Sequence, residues 1–394
     1  MWKSFRIGSL FGIPLKLDVT FLLILPVFAF IIGYQIDLVA ELLNDLWDAD
    51  LDEVALSEGM RPWILGFAAA IGLFIGVILH ELGHSLVAMR YGYPIESITL
   101  WLLGGVAAFK EMPEDWRQEF TIAIAGPIVS IFVGVGSYLI FRGATGLGDT
   151  LSPSAIDAIV FVFAYLAILN VFLAGFNLLP AFPMDGGRIL RAILARNRPF
   201  AKATQQAASI GRAFAIIFGL FGLLVFNIIL IALAFFIYIA ASGEEQHVVL
   251  KAAFEDVTVG DIMTPKVELR TVDPTTDLET LKQRMFRERH TGYPVIDDGR
   301  LIGLVTLEDA QRSGEGADRP LLVGDVMSSE LATIEAGADV MDAIERMQRN
   351  RIGRLLVVDG GEFVGLVSRT DVMTALEILQ QSGPIARATE GTIA

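Results

Sequence analysis

The apolar runs decide what this chain can become. Stretches near the ~20 residues that cross a bilayer occur at about 18–35, 63–89, 118–141 and 156–178, followed by a double-length block at 206–242. That block is too long for one crossing. It divides most naturally near Asn227, giving roughly 206–225 and 227–242 and a total of six spans. The bilayer core offers no water to backbone amides, so such runs must close their hydrogen bonds within helices. Composition agrees, with 54% of residues hydrophobic and 19% charged, against about 45–50% and 25% in soluble domains. The first run is expected to be retained rather than cleaved, because it is long, lacks a small-residue cleavage site, and is flanked rather than led by Arg6 and Lys16.

Charge marks where this regime ends. Residues 1–243 carry 14 Lys/Arg and 18 Asp/Glu, and residues 244–394 carry 16 and 27. The seam falls at Ser242–Gly243–Glu244–Glu245–Gln246, and the chain beyond it reads as water-soluble. A net charge of −15 argues against nucleic acid as a partner, since phosphate binding needs basic patches. The absence of cysteine removes disulfides, thiolate nucleophiles and Cys-ligated metals.

Basic residues set the expected orientation. With the N-terminus inside, the inner segments hold Lys3, Arg6, Lys16, Arg90, Lys110, Arg117 and the cluster Arg188, Arg191, Arg196, Arg198, Lys202 and Arg212. The outer segments hold Arg61 and Arg142. The expected location is therefore the cell membrane, multi-pass, with both the N-terminus and the soluble part cytoplasmic. The acidic stretch 36–62 is expected to be a solvated outer loop.

Within the second run the chain reads Ile78-Leu79-His80-Glu81-Leu82-Gly83-His84-Ser85, an H-E-x-x-H motif. Positions i and i+4 lie about 40° apart around a helix, so His80 and His84 can present two imidazoles to one metal ion. Glu81, at the edge of that face, can reach a metal-activated water and take its proton. Polar groups of this kind inside a membrane are costly and functional by default. With a helix exit at Arg90, His80 lies ten residues in, about 15 Å at 1.5 Å per residue. A catalytic zinc takes three protein ligands. The acids in or beside the spans are Glu96, Glu119, Asp157 and Asp185. Asp185 stands out after Pro180 and Pro183, which interrupt the helix, and before the glycine pair Gly186-Gly187. A Pro-rich turn with a helix-capping Asp reads equally well from the residues alone.

His80-Glu81-Leu82-Gly83-His84, taken with Asn177, Pro180, Pro183, Asp185 and Gly186, resembles the site-2 protease family of intramembrane zinc metalloproteases over residues 1–243. The resemblance implies Zn²⁺ held by His80, His84 and Asp185, with Glu81 activating water. It also implies that Asn177 positions substrate or stabilises the oxyanion. The substrate would be a transmembrane protein, such as a membrane-anchored regulator. Family members carry a membrane-associated β-element where Ser97–Phe109 reads as β-prone with a Gly-Gly break, suited to pairing with an extended chain. Ala125-Gly126-Pro127 also matches the family, and its expected role is close helix packing by small residues.

The soluble part contains an internal repeat. Val259-Gly260-Asp261-Ile262-Met263-Thr264 returns as Val323-Gly324-Asp325-Val326-Met327-Ser328, and the segment ending Val305-Thr306-Leu307-Glu308-Asp309 returns as the one ending Val367-Ser368-Arg369-Thr370-Asp371. Helices are expected near 277–288 and 339–350. This resembles a tandem pair of CBS domains, which implies adenine nucleotide as a regulatory ligand (ATP, ADP or AMP) and a homodimer through the pair. Thr306, Asp309, Ser368 and Asp371 stand at helix starts, where a hydroxyl and helix N-terminus suit phosphate and an Asp suits ribose. The same pattern is an ordinary N-cap.

The expected architecture is a multi-span α-helical membrane domain of about six transmembrane helices followed by a soluble α/β tandem CBS pair. The expected divisions are 1–243 for the protease, 244–256 for a linker, 257–318 and 319–380 for the CBS domains, and 381–394 for a tail. A CBS-gated metal transporter or channel is the alternative. Against it, Glu81 beside the ligands serves no transport purpose, and inverted repeats are not visible.

Overall fold

The structure, a computed structural model, describes residues 4–102, 104–109, 113–146, 152–312 and 321–381. Lys3, Lys110 and the tail beyond Gln381 lie outside the described residues. The chain divides into two compact units, Met1–Val248 and Val249–Ala394.

The first unit opens with a hairpin that the apolar runs did not signal. Strand β1 (Ser4–Leu10) turns at Phe11 and Gly12, both at positive φ, into β2 (Ile13–Asp18). Asp18 then caps helix α1 (Val19–Tyr34) by accepting from Thr20 N at 3.0 Å. At Gln35 the chain bends by 64° into α2 (Ile36–Trp47). Here the expected solvated loop is corrected. Its acids are exposed, but between them Ile36, Val39, Ala40 and Leu43 form a buried stripe at helical spacing. A short helix, α3 (Glu53–Ser57), precedes α4 (Arg61–Arg90).

From α4 the chain enters β3 (Ile95–Trp101) and β4 (Gly104–Phe109), with Gly104 at positive φ. The four strands form one sheet in the order β1-β2-β3-β4, β2 and β3 running parallel and β4 at an edge. Helices α5 (Trp116–Thr145), α6 (Pro153–Asn177), α7 (Asp185–Ala195), α8 (Phe200–Leu224) and α9 (Ile228–Ala253) complete the unit. Among the described residues five helices are long and apolar enough to cross a membrane, six if the bent pair α1–α2 is one span. The division near Asn227 has a physical cause. Phe226 takes a positive φ, and the Asn227 Oδ1 accepts from Ile229 N and Leu230 N at the start of α9. The last helix does not stop at the seam but continues through most of the expected linker to Ala253.

Small residues bring the spans together. A Cβ on Gly66 of α4 would lie 2.4 Å from the Ala29 carbonyl of α1, and one on Gly83 would lie 3.0 Å from the Ala125 carbonyl of α5.

The second unit is built from two interlocked repeats. The first comprises α10 (Val259–Ile262), β5 (Thr264–Pro265), α11 (Leu278–Glu288), β6 (Gly292–Asp297), β7 (Arg300–Thr306) and α12 (Leu307–Arg312). The second comprises α13 (Val323–Val326), β8 (Thr333–Glu335), α14 (Val340–Arg349), β9 (Arg354–Asp359), β10 (Glu362–Ser368) and α15 (Arg369–Gln381). Each repeat's opening segment completes the other's core. Strand β5 pairs with β10, Val259 packs with Ile334, Val340 and Val357, and Val323 packs with Val272, Leu278 and Val295.

Candidate metal centre

Helix α4 carries His80, Glu81 and His84 on successive turns, and α7 begins at Asp185. Helix α7 is entered from α6 through a non-helical loop. Pro180 and Pro183 deny it helical hydrogen bonds, and it folds back so closely on α7 that only glycines fit. A Cβ on Gly186 would lie 2.2 Å from the Leu179 carbonyl, and one on Gly187 would lie 2.6 Å from Phe182 N. This packing delivers the Asp185 carboxylate between the imidazoles.

All three groups are buried. Asp185 Oδ2 lies 3.1 Å from His80 Nε2 and 3.2 Å from His84 Nε2, and the two nitrogens are 3.2 Å apart. A tetrahedral zinc with ligands about 2.0–2.1 Å away separates those ligands by about 3.3 Å. The triangle therefore has the dimensions of three corners of that tetrahedron, and its donor set is one that zinc takes. The outer ring nitrogens are anchored. The Ile122 carbonyl, which can only accept, takes a hydrogen bond from His84 Nδ1 at 2.7 Å, leaving Nε2 with its lone pair inward. His80 Nδ1 lies 2.9 Å from the Ser130 hydroxyl. Such outer partners fix ring orientation and raise ligand basicity. Space above the imidazoles is kept by Gly126, where a Cβ would fall 2.2 Å from His84 Nε2 and 2.8 Å from His80 Nε2. The small-residue motif on α5 thus does more than pack helices. The residues present fit a zinc ion.

Glu81 lies beside the triangle and under the sheet. Its Oε2 accepts from Ala107 N on β4 at 3.3 Å, and Gly105 passes so close that a Cβ would lie 2.6 Å from Glu81 Cγ. Asn177, in the last turn of α6, is half-buried and donates Nδ2–H to the Leu173 carbonyl at 3.0 Å rather than to the triangle. The other candidate acids are elsewhere. Glu96 is exposed on β3, Asp157 is half-buried beside Arg61 in a separate cavity of about 230 Å³, and Glu119 pairs with Arg191. Among the described residues, His80, His84 and Asp185 are the one group of three or more such side chains able to share an ion.

In the second unit the singled-out residues close on themselves. Asp309 Oδ2 accepts from the Thr306 hydroxyl at 2.6 Å and from Thr306 N at 2.9 Å, while Asp309 N donates back to Thr306 Oγ1. Asp371 and Ser368 repeat this, with Ser368 Oγ at 2.8 Å and Ser368 N at 2.7 Å. These are reciprocal helix caps. Sequence reasoning passed over Ser130, Ile122 and Arg191. Nothing in the local sequence marks a backbone carbonyl as an imidazole anchor, and Arg191 read as one more cytoplasmic cation.

Known proteins give this arrangement its class, that of a zinc metalloprotease in a membrane protein that also carries a CBS pair. The chain belongs to Peptidase family M50, whose profile matches residues 68–149 and 142–218, and the CBS domain profile matches residues 259–314 and 323–378. A zinc metalloprotease of Methanocaldococcus jannaschii is 36% identical over 96% of this chain and 97% of its own length. Stage IV sporulation protein FB of Bacillus subtilis is 28% identical over 47% of this chain and 63% of its own. The solved structure of a site-2 protease from Methanocaldococcus jannaschii is similar at 39% identity, with a TM-score of 0.41, covering 62% of this chain and 95% of that one. The protein is therefore an enzyme, and the transporter alternative falls.

Proposed function

We propose that this metalloprotease hydrolyses peptide bonds of membrane-spanning proteins inside the bilayer, with His80, His84 and Asp185 holding zinc and Glu81 acting as general base. The observation that carries the reading is the His80–His84–Asp185 triangle, its edges 3.1–3.2 Å, with both histidines on a helix long and apolar enough to span.

When bound, zinc supplies Lewis-acid chemistry, lowering the pKa of water toward neutrality and polarising a carbonyl. The chain supplies the rest. Glu81 Oε2 takes the proton of the attacking water and can return it to the leaving amine. Ala107 N–H donates to Glu81 from β4, which among the described residues has β3 as its one strand neighbour and is an edge strand. A substrate strand added to that edge would run past the carboxylate, its backbone ordered by strand addition. Asn177 is assigned to substrate positioning or the oxyanion, for which it has a second Nδ2–H beside the one donated to the Leu173 carbonyl. Attack needs an extended chain, so the substrate helix must unwind locally first.

The same reading places the N-terminus and the CBS pair in the cytoplasm, on the strength of the basic inner segments. The pair would bind ATP, ADP or AMP near Thr306, Asp309, Ser368 and Asp371 and adjust cleavage rate, and would support a homodimer. The reciprocal caps weigh toward a structural role for these four residues, and a ligand would share their outward oxygens. Glu81→Gln in the full chain tests the reading directly. It should keep zinc and lose cleavage of a membrane-spanning test substrate, whereas retained cleavage would remove Glu81 from the chemistry.

A further inference from the structure

Helix α7, which opens with Asp185, carries a buried cation that the chemistry does not use. Arg191 stands six residues after Asp185 on α7, about 9 Å along the axis at 1.5 Å per residue. Its side chain is 1% exposed. Its Nε donates to Glu119 Oε1 of α5 at 2.7 Å, its Nη2 lies 2.5 Å from the same oxygen, and its Nη1 donates to Glu244 Oε1 of α9 at 2.6 Å. The guanidinium also packs against Phe182, in the loop that delivers Asp185, and Phe200 at the start of α8, with ring centroids 5.1 and 4.7 Å away. One side chain thus sets where α7 sits against three neighbours and against its own entry loop.

The two carboxylates differ. Glu119 is 4% exposed, but Glu244 is 31% exposed, so the Glu244 arm can be released into water while the Glu119 arm cannot. Glu244 belongs to α9. Glu245, next to Glu244, pairs with Arg212 of α8, so both acids at this level hold α9 to the membrane helices.

We propose that Arg191 is a positioning residue that holds Asp185 in register with His80 and His84, and that Glu244 is the releasable half of the clamp that fixes its guanidinium. The proposal rests on the zinc reading above and adds a residue that acts on a metal ligand without touching it. An equilibrium shifts only by a difference in interaction between two states. Here that difference is the Arg191–Glu244 pair, made or broken, while Arg191 keeps Glu119.

The test is zinc release from the full chain into excess chelator, read with a metal-sensitive dye. A group hydrogen-bonded directly to a ligand is worth about 10–100-fold in metal affinity; Glu244 acts one step further out, through Arg191, so Glu244→Ala should release zinc faster by up to about tenfold. Glu244→Gln keeps an oxygen for Nη1 and should return most of that loss. Release from Glu244→Ala at the wild-type rate would overturn the proposal. A wild-type chain that binds no zinc would remove the metal centre itself, and this proposal with it.

Discussion

The two places where this chain gathers polar side chains at helix starts and turns are built in opposite ways. In the membrane unit, Asp185 meets His80 and His84 across 105 and 101 residues of sequence, with the Nε2 atoms and a carboxylate oxygen all turned to one point. In the soluble unit, Thr306 meets Asp309 and Ser368 meets Asp371 across three residues, each pair satisfying its own backbone. The membrane cluster is a convergence of acceptors that repel one another unless a cation or proton lies between them. The soluble clusters are donor–acceptor pairs already at rest. A group of lone pairs aimed at one another needs a ligand, and a cap does not.

The sharpest way to break that contrast is Glu81→Gln. General-base catalysis contributes about 10²–10⁴-fold, so cleavage should fall by that much while zinc content stays at the wild-type level. Gly126→Val comes next. It adds no charge and removes no ligand, but its Cβ would enter the space over both Nε2 atoms, so metal analysis should find zinc largely lost. Full occupancy in Gly126→Val would mean that the space Gly126 leaves is not the ion's. Substrate unwinding gives a smaller effect. A Gly placed near the scissile bond costs a helix about 1 kcal/mol relative to Ala, so cleavage should quicken by up to about fivefold and reverse with Ala or Leu, as read on a series of test substrates. The soluble clusters supply the smallest effect. Asp309→Ala and Asp371→Ala should each cost the CBS unit about 1 kcal/mol, the usual worth of a helix cap, seen as a lower denaturant midpoint with zinc unchanged. If the double variant also loses adenine-nucleotide binding by calorimetry, the caps double as a ligand site. Binding that persists would leave them as caps alone.

What could be read from the sequence depends on the range of the interactions. The spans were legible because each apolar run is its own signal, and even the break at Asn227 was visible where an amide could cap the next helix. His80, Glu81 and His84 were legible because one helix turn sets their spacing. The hairpin of β1 and β2 was not, since β2 finds its parallel partner near Ile98, Thr99 and Leu100 and that pairing leaves no local mark. Helix α2 was hidden by its acids, which masked the stripe of Ile36, Val39, Ala40 and Leu43. Arg191 was counted with its basic neighbours as a marker of the cytoplasmic side, although its partners Glu119 and Glu244 lie 72 and 53 residues away. A buried ion network made of distant residues looks, in sequence, like scattered surface charge.

The central claim is that Asp185 completes a zinc site with His80 and His84, and one measurement reaches it without any assumption about substrate. Zinc per chain is to be determined on the full-length protein and on Asp185→Ala, both purified and shown to be folded. The account predicts one zinc per wild-type chain and a sharp loss in the variant, whereas full zinc content in Asp185→Ala would contradict it.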